Sequence, residues 1–81
     1  MSFKQKFGAR LFEVRKKNNE KQKELAELLG VGDTQISEIE HGNKTTTVEK
    51  LSIICRHYNV SADYLLGLTD DPKPHKRKKE E

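Results

Sequence analysis

The chain has 81 residues and a net charge of +3, with 36% of its residues charged and 32% hydrophobic, which is the size of one domain with a small core. No segment approaches the ~18 apolar residues of a membrane span, and the first ten residues lack the apolar region of a signal peptide, so we expect a cytoplasmic protein. The single cysteine excludes an internal disulfide and a multi-cysteine zinc site, and the histidines lack metal-ligand spacing, so no metal or other cofactor is expected.

The first predicted helix carries a regular apolar face. Its apolar residues recur at spacings of three and four: Phe3, Phe7, Leu11 and Val14. This spacing predicts a helix from about Phe3 to Lys17, with most of the basic residues on its other faces. Phe12 falls outside the apolar face and is expected to be partly exposed or to contact a partner. Asn18 and Asn19 break the pattern and are expected to end the helix.

The second and third helices are predicted to be joined by a short turn. The second helix runs from about Gln22 to Leu29, and Gly30 ends it because glycine adopts a positive φ without steric cost. Asp33 is predicted to be the N-cap of the third helix, which runs to about His41. Two helices that cross at ~90–120° need a small residue at their closest approach and apolar residues on both sides of the turn. The residues that meet these demands are Leu25, Ala26, Leu29, Val31, Ile36 and Ile39.

Two further helices and a polar tail complete the predicted organisation. Thr47 is the expected N-cap of a fourth helix, Val48 to Tyr58, in which Cys55 is a small core residue. Ser61 is the expected N-cap of a short fifth helix with the sequence ADYLLG. Residues 71–81, which end in the sequence HKRKKEE, are expected to form a basic, disordered tail.

Charge is distributed unevenly along the chain. Residues 1–23 carry +6, residues 24–43 carry −5 with no lysine or arginine, and residues 44–71 carry −1. Residues 1–71 are therefore neutral as a whole, and residues 72–81 supply the +3 of the chain. The domain is electrically polarised and not uniformly basic, so its pI alone does not indicate a nucleic-acid-binding protein.

Two segments resemble the phage-repressor and Cro-type helix-turn-helix family. They are QKELAELLGVGDTQISEIEHG, residues 22–42, and VEKLSIICRHYNVSADYLLG, residues 48–67, and the resemblance covers about residues 8–68. It implies an all-α, compact five-helix, lambda-repressor-like DNA-binding domain in residues 1–70, with the helix-turn-helix at about 22–41. The third helix would then enter the major groove with its first residues at base edges.

The resemblance also implies roles for individual side chains. The expected DNA-binding residues lie at the start of the second helix, along the third helix and in the loop after it: Gln22, Lys23, Asp33, Thr34, Gln35, Ser37, Glu38, Lys44 and Thr45. Arg15 and Glu40 are expected to form a largely internal ion pair that ties the first helix to the end of the third. The sequence departs from the family pattern at Glu20 and Lys21, where an apolar residue and a Thr or Ser cap are usual. The second helix is therefore expected to be poorly capped or lengthened backwards.

Asp33 and Glu38 place acidic groups on the predicted reading helix. A carboxylate can accept a hydrogen bond from cytosine N4, and a good base contact contributes ~1–3 kcal/mol of discrimination. Carboxylates also repel phosphates, so affinity has to come from lysines, hydroxyl groups and helix N-termini. A capping role for Asp33, and a solvated position for Thr34 and Glu38, are the alternatives to base contact.

A homodimer is expected because one domain of this size covers only a few base pairs. The expected interface is the fifth helix and its exit: Tyr64, Leu65, Leu66 and Leu68. Part of this cluster should pack on the fourth helix and the rest on a second copy in a weak C2 dimer. Such a dimer would read a palindromic operator in double-stranded DNA, with half-sites ~34 Å apart. The basic tail either contacts phosphates or keeps the protein soluble, and no membrane partner or small-molecule effector is expected.

Three classes of function compete. The leading hypothesis is a sequence-specific transcriptional regulator of prokaryotic or phage type, acting as a repressor. The alternative is a protein-interaction or antitoxin-like module with weak DNA affinity, because the acidic segment 24–43 suits a basic partner protein. An enzyme is not expected, since the sequence has no Gly-rich phosphate loop, nucleophile motif or metal cluster, and so short a helical domain rarely encloses a pocket.

Overall fold

The structure, a computed structural model, describes residues 2–74 and contains five α-helices in this range. They are α1, Phe3–Lys17; α2, Gln22–Leu29; α3, Asp33–Glu40; α4, Val48–Tyr58; and α5, Ala62–Leu66. No strand occurs among the residues described. The predicted all-α, five-helix fold is confirmed. No helix within residues 2–74 is long and apolar enough to cross a membrane.

Side-chain caps fix the starts of three helices. Ser2 Oγ accepts a hydrogen bond from Gln5 N at 3.2 Å, and Gln5 Oε1 accepts one from Ser2 N at 3.0 Å, which closes a capping box at α1. Thr47 and Ser61 accept hydrogen bonds from the third residues of α4 and α5, so both predicted N-caps are confirmed. A cap of this kind stabilises a helix by ~1 kcal/mol.

The start of α3 differs from the prediction. Gly32 is the N-cap, with φ −79° and ψ 154°, and Asp33 is the first residue of the helix. The prediction that Asp33 caps α3 is therefore wrong, and no side chain caps this helix. Gly32 adopts the extended backbone that precedes a helix, which moves the helix start one residue earlier than expected. The Asp33 carboxylate lies in the first turn, where the helix dipole favours a negative charge.

The core forms where the apolar faces of the helices meet. Six of its side chains are completely enclosed: Leu11, Leu25, Ile36, Ile39, Ile54 and Leu65. In the packing, α1 contacts α3 and α5, α2 contacts α3, and α4 contacts α5. Burying one leucine or isoleucine side chain contributes ~1.5–3 kcal/mol, so these six residues account for much of what holds α2 and α3 on the scaffold.

Gly8 allows α1 to lie directly against the end of α3. A Cβ atom on Gly8 would overlap the carbonyl oxygen of Ile39 and would lie 2.9 Å from that of Glu40. Both neighbours are backbone atoms, so neither can move without displacing α3. Nothing in the sequence around Gly8 indicates this role, because it depends on a helix that is distant along the chain.

Arg10 holds α5 and its exit against α1. Its Nη1 donates to the carbonyl oxygens of Tyr64 and Thr69, both at 2.6 Å, and its guanidinium lies 4.1 Å from the centre of the Tyr64 ring. Its Nη2 donates to Asp70 Oδ1 at 2.7 Å. Tyr64 Oη in turn donates to Glu13 Oε1 at 2.6 Å. α5 therefore packs mainly on α1, and it also contacts α4, on which part of its apolar cluster was expected to pack.

Two of the four residues predicted for a dimer interface belong to the core instead. Leu65 is fully buried and Tyr64 is 7% exposed within the single chain. The prediction is wrong for these two residues, because packing within the domain leaves them almost no surface for a second copy. Leu66 is half-buried and Leu68 is 73% exposed, so both stay candidates for an interface.

The chain beyond α5 runs back along the domain as far as it is described. Pro72 O accepts a hydrogen bond from Ser61 N at 3.0 Å, and Asp71 Oδ1 accepts one from Lys73 N at 3.1 Å. Pro72 therefore ties this segment to the start of α5. The rest of the predicted tail, residues 75–81, lies outside the described residues, so the disordered tail and the domain boundary at residue 70 stay predictions.

Candidate nucleic-acid interface

The turn between α2 and α3 is closed by backbone geometry. Gly30 has φ 71° and ψ 32°, the left-handed conformation predicted for it. Gly30 N donates to Glu27 O at 3.3 Å and Val31 N donates to Ala26 O at 3.0 Å, which ends α2 and redirects the chain. Ala26 is buried, as predicted for the small residue where the two helices approach each other.

α3 turns one face to the core and the other to solvent. Ile36 and Ile39 are at most 1% exposed. Outside this buried pair, Asp33 and Thr34 are exposed, while the other predicted reading residues are partly exposed: Gln35, Ser37 and Glu38. The rest of residues 2–74 therefore leaves the outward face of α3 open to a partner molecule.

A buried ion pair fixes α3 to α1. Arg15 Nε and Nη2 lie 2.7 and 3.0 Å from the two carboxylate oxygens of Glu40, and the two side chains are only 6% and 3% exposed. The predicted ion pair is therefore present, in bidentate geometry. Hydrogen bonding to Glu40 raises the pKa of Arg15, so the guanidinium stays charged despite its burial. Arg15 Nη1 also donates to Glu20 O at 2.6 Å, which ties the loop before α2 to the same pair.

Gln22 extends this cluster to the start of α2. Its Nε2 donates to Glu40 Oε1 at 3.0 Å, and the residue is half-buried. Because Gln22 is the first residue of α2 and Glu40 is the last residue of α3, the bond couples the two ends of the helix pair. The side chain of Gln22 is therefore held in place by the buried ion pair.

Lys21, the residue before α2, provides no side-chain cap. Its backbone N donates to Glu24 Oε1 at 2.8 Å, but a lysine side chain has no acceptor for the first N–H groups of the helix. The expected poor capping is confirmed, and α2 is not lengthened backwards. Its first backbone N–H groups are left to solvent or to a ligand.

Glu20 links the loop before α2 to the end of α4. Its Oε1 accepts a hydrogen bond from Tyr58 Oη at 2.8 Å, and its Oε2 lies 2.7 Å from His57 Nε2. Burial raises the pKa of Glu20, but hydrogen bonds from His57 and Tyr58 lower it by more, so the net shift is downward. These two partners explain why an acidic residue can occupy a position that is usually apolar in the family. No local signal reveals them, because α4 is far away along the chain.

Glu38 and Lys44, both predicted to lie near DNA, pair with each other. Lys44 Nζ lies 2.9 Å from Glu38 Oε1, and the side chains are 54% and 40% exposed. The pair offsets one of the acidic charges on the outward face of α3. Because both groups are well solvated, it stabilises the fold by at most ~1 kcal/mol and can open at little cost.

The remaining predicted DNA-binding residues lie around the same surface. Lys23 is exposed in the first turn of α2, and Thr45 is exposed in the loop that follows α3. Ser37 is engaged locally, since its Oγ and its carbonyl oxygen lie 3.3 and 2.7 Å from His41 Nδ1. The predicted residues thus fall on three adjoining segments: the start of α2, the outward face of α3 and the loop after it.

Known proteins resemble this chain in sequence. Residues 8–71 match a family model described as a helix-turn-helix domain. The HTH-type transcriptional regulators YobD and ImmR of Bacillus subtilis strain 168 are 40% and 42% identical over 70 and 60 residues, which are 86% and 74% of this chain. The chain spans 62% and 47% of the lengths of these two relatives.

Solved structures share the fold. The clp gene regulator ClgR from Corynebacterium glutamicum superposes with a TM-score of 0.74 at 29% identity, covering 82% of this chain and 70% of ClgR. The P22 c2 repressor, crystallised in complex with a synthetic operator, superposes with a TM-score of 0.69 at 32% identity, covering 74% of this chain and 91% of the repressor. These likenesses confirm the lambda-repressor-like architecture.

Proposed function

Because the chain belongs to the helix-turn-helix domain family of transcriptional regulators, we propose that it is a sequence-specific DNA-binding regulator that acts as a repressor. One observation carries the proposal: the outward face of α3 is open, while the helix is fixed to α1 by the buried pair of Arg15 and Glu40. A rigidly held helix with an open polar face is what a helix-turn-helix protein inserts into the major groove. The likeness to the P22 c2 repressor, which was crystallised with an operator, supports the same function.

Base recognition is assigned to the outward face of α3. Thr34 and Gln35, in the first turn, offer hydroxyl and amide groups to base edges. Asp33 and Glu38 can accept hydrogen bonds from cytosine N4, and each good contact contributes ~1–3 kcal/mol of discrimination. Ser37 is a weaker candidate, because His41 already engages its hydroxyl group.

Phosphate contacts are assigned to the two edges of the helix pair. Lys23 lies at one edge, and Lys44 and Thr45 lie at the other. Gln22 Nε2 carries two hydrogens, so it can donate one to a phosphate while the other stays bonded to Glu40. Lys44 can leave Glu38 for a phosphate, which then frees the carboxylate for a base.

The proposal includes a homodimer on a palindromic operator. Two copies related by a two-fold axis would read half-sites ~34 Å apart, which doubles the number of bases that are recognised. Of the residues predicted for the interface, Leu66 and Leu68 retain surface for a second copy.

A second candidate function is binding to a basic protein, in the manner of an antitoxin. The observation that favours it is the acidic segment 24–43, in which Glu24, Glu27 and Asp33 are exposed. Retention on heparin and on DNA discriminates between the two functions. A DNA-binding protein is retained and elutes as salt rises, whereas an acidic interaction module flows through.

Random-site selection with the purified protein tests the proposed function, and an enriched palindrome is the expected result. Thr34→Ala and Glu38→Ala should each relax the preference at defined positions of the half-site by roughly 5- to 150-fold. Lys16→Ala, which removes an exposed lysine of α1, is the control and should leave the preference unchanged. Recovery of no common sequence would overturn the proposal.

A further inference from the structure

An apolar groove lies on the side of the molecule formed by α4 and the start of α5. Its lining residues are Val48, Leu51, Ser52, Cys55, Arg56 and Ala62. Val48, the first residue of α4, is 83% exposed, whereas Ile54 and Tyr58 of the same helix are buried. The groove has a volume of about 310 Å³, many times the ~10–15 Å³ that one water needs, so it can accept a branched side chain.

An exposed leucine stands close to this groove. Leu68 is 73% exposed, and its backbone N donates to Asp63 O at 2.8 Å, next to Ala62 in the groove wall. Arg10 holds the residues on both sides of it, through the carbonyl oxygens of Tyr64 and Thr69. Leu68 is therefore presented on a fixed loop, so little conformational freedom is lost when it packs against a partner.

We propose that this groove receives Leu68 of a second copy of the chain, in a two-fold arrangement in which each copy fills the groove of the other. The inference rests on the proposed function, because it names the surface by which the proposed homodimer forms. A two-fold interface must be self-complementary, and a single chain here carries both the projecting residue and the groove that fits it.

Charge complementarity favours a second copy over an unrelated partner. Arg56 lies in the groove wall and is exposed. Asp71, three residues beyond Leu68, is exposed and accepts only a backbone hydrogen bond from Lys73. When Leu68 of one copy enters the groove of the other, the two-fold relation brings Asp71 towards Arg56 across the interface at both ends. The interface is small, so the dimer is weak in the absence of DNA.

Disulfide trapping tests the proposed contact directly. Leu68→Cys is made in the chain that retains Cys55, and the protein is incubated in a glutathione redox buffer without DNA. The expected product is a covalent dimer in which peptide mapping finds the introduced thiol bonded to Cys55 of the other copy. The same substitution combined with Cys55→Ser is the control and should lose this link. A protein that stays monomeric, a link within one chain, or links only between two introduced thiols would each overturn the proposal.

Charge exchange provides a second test that needs no new thiol. Arg56→Glu and Asp71→Arg should each raise the dimer dissociation constant, measured by sedimentation equilibrium, by roughly 2- to 5-fold. The double variant should recover the original value, while far-UV circular dichroism verifies that all three fold. Single variants with unchanged association, or a double variant without recovery, would contradict the proposed pairing.

The outcomes separate this inference from the proposed function, because neither test contains DNA. An enriched palindrome together with failed trapping would overturn the interface and leave the function standing. Successful trapping without any enriched DNA sequence would overturn the function and leave the dimer.

Discussion

Replacing Glu40 by glutamine should weaken the fold more than its small change in shape implies. Glu40→Gln keeps the size of the side chain but removes the negative charge from a pair whose members are 3% and 6% exposed. The amide also places N–H hydrogens against those of Arg15 or Gln22, because all three groups are then donors. Leaving one member of a buried pair uncompensated costs ~3–5 kcal/mol.

This loss is large for a domain of this size. At ~0.05–0.15 kcal/mol per residue, the free energy of unfolding is about 4–12 kcal/mol, so Glu40→Gln should remove roughly a quarter of it or more and lower Tm by ~12 °C or more. Urea denaturation followed by circular dichroism measures the change. Arg15→Met should cost a similar amount, and the double variant with Glu40→Gln should cost less than the sum of the two. A loss below ~1 kcal/mol for Glu40→Gln would refute the view that this pair anchors α3.

Three other substitutions test separate parts of the structure. Gly8→Ala should destabilise the protein by at least ~1–3 kcal/mol in urea denaturation, because the new methyl group meets backbone of α3. Gly32→Ala, which has open space, should cost less than ~1 kcal/mol, the difference between glycine and alanine as an N-cap. Burial raises the pKa of Glu20, but hydrogen bonds from His57 and Tyr58 lower it below its ordinary value. The contribution of Glu20 to the free energy of unfolding is therefore complete above about pH 4.3, the ordinary pKa of a glutamate. This contribution is lost as the pH falls through the lower pKa of the folded state. Glu20→Gln should therefore flatten the acid limb of the plot of stability against pH, and an unchanged limb would contradict this. Lys44→Ala should reduce the slope of log affinity for DNA against log salt by ~0.9 if the lysine contacts a phosphate, and an unchanged slope would exclude that contact.

The helices and the turn could be predicted because their signals are local. The apolar spacing of α1, the left-handed Gly30 and the caps Thr47 and Ser61 each depend on a few neighbouring residues. The predicted start of α3 differs from the observed start by one residue, because Asp33 is a good N-cap by its chemistry and only the backbone of Gly32 decides against it.

The features that could not be predicted depend on residues that are far apart along the chain. The need for glycine at position 8 arises from the backbone of α3, and Glu20 gains its partners from α4. The assignment of Tyr64 and Leu65 to a dimer interface was wrong for the same reason. Short amphipathic sequences do not reveal which side of α5 is covered, and here the domain buries both of these side chains, with Arg10 and Glu13 of α1 on Tyr64.

An NMR titration of the ¹⁵N-labelled protein with the selected duplex tests most directly whether α3 reads DNA. The largest amide shifts should fall on residues 33–38, with a second group at the start of α2 and in the loop around Lys44. The same titration with Thr34→Ala should show weaker binding but the same set of shifted residues. Shifts confined to other surfaces, or none at saturating duplex, would contradict the assignment of α3 as the recognition helix.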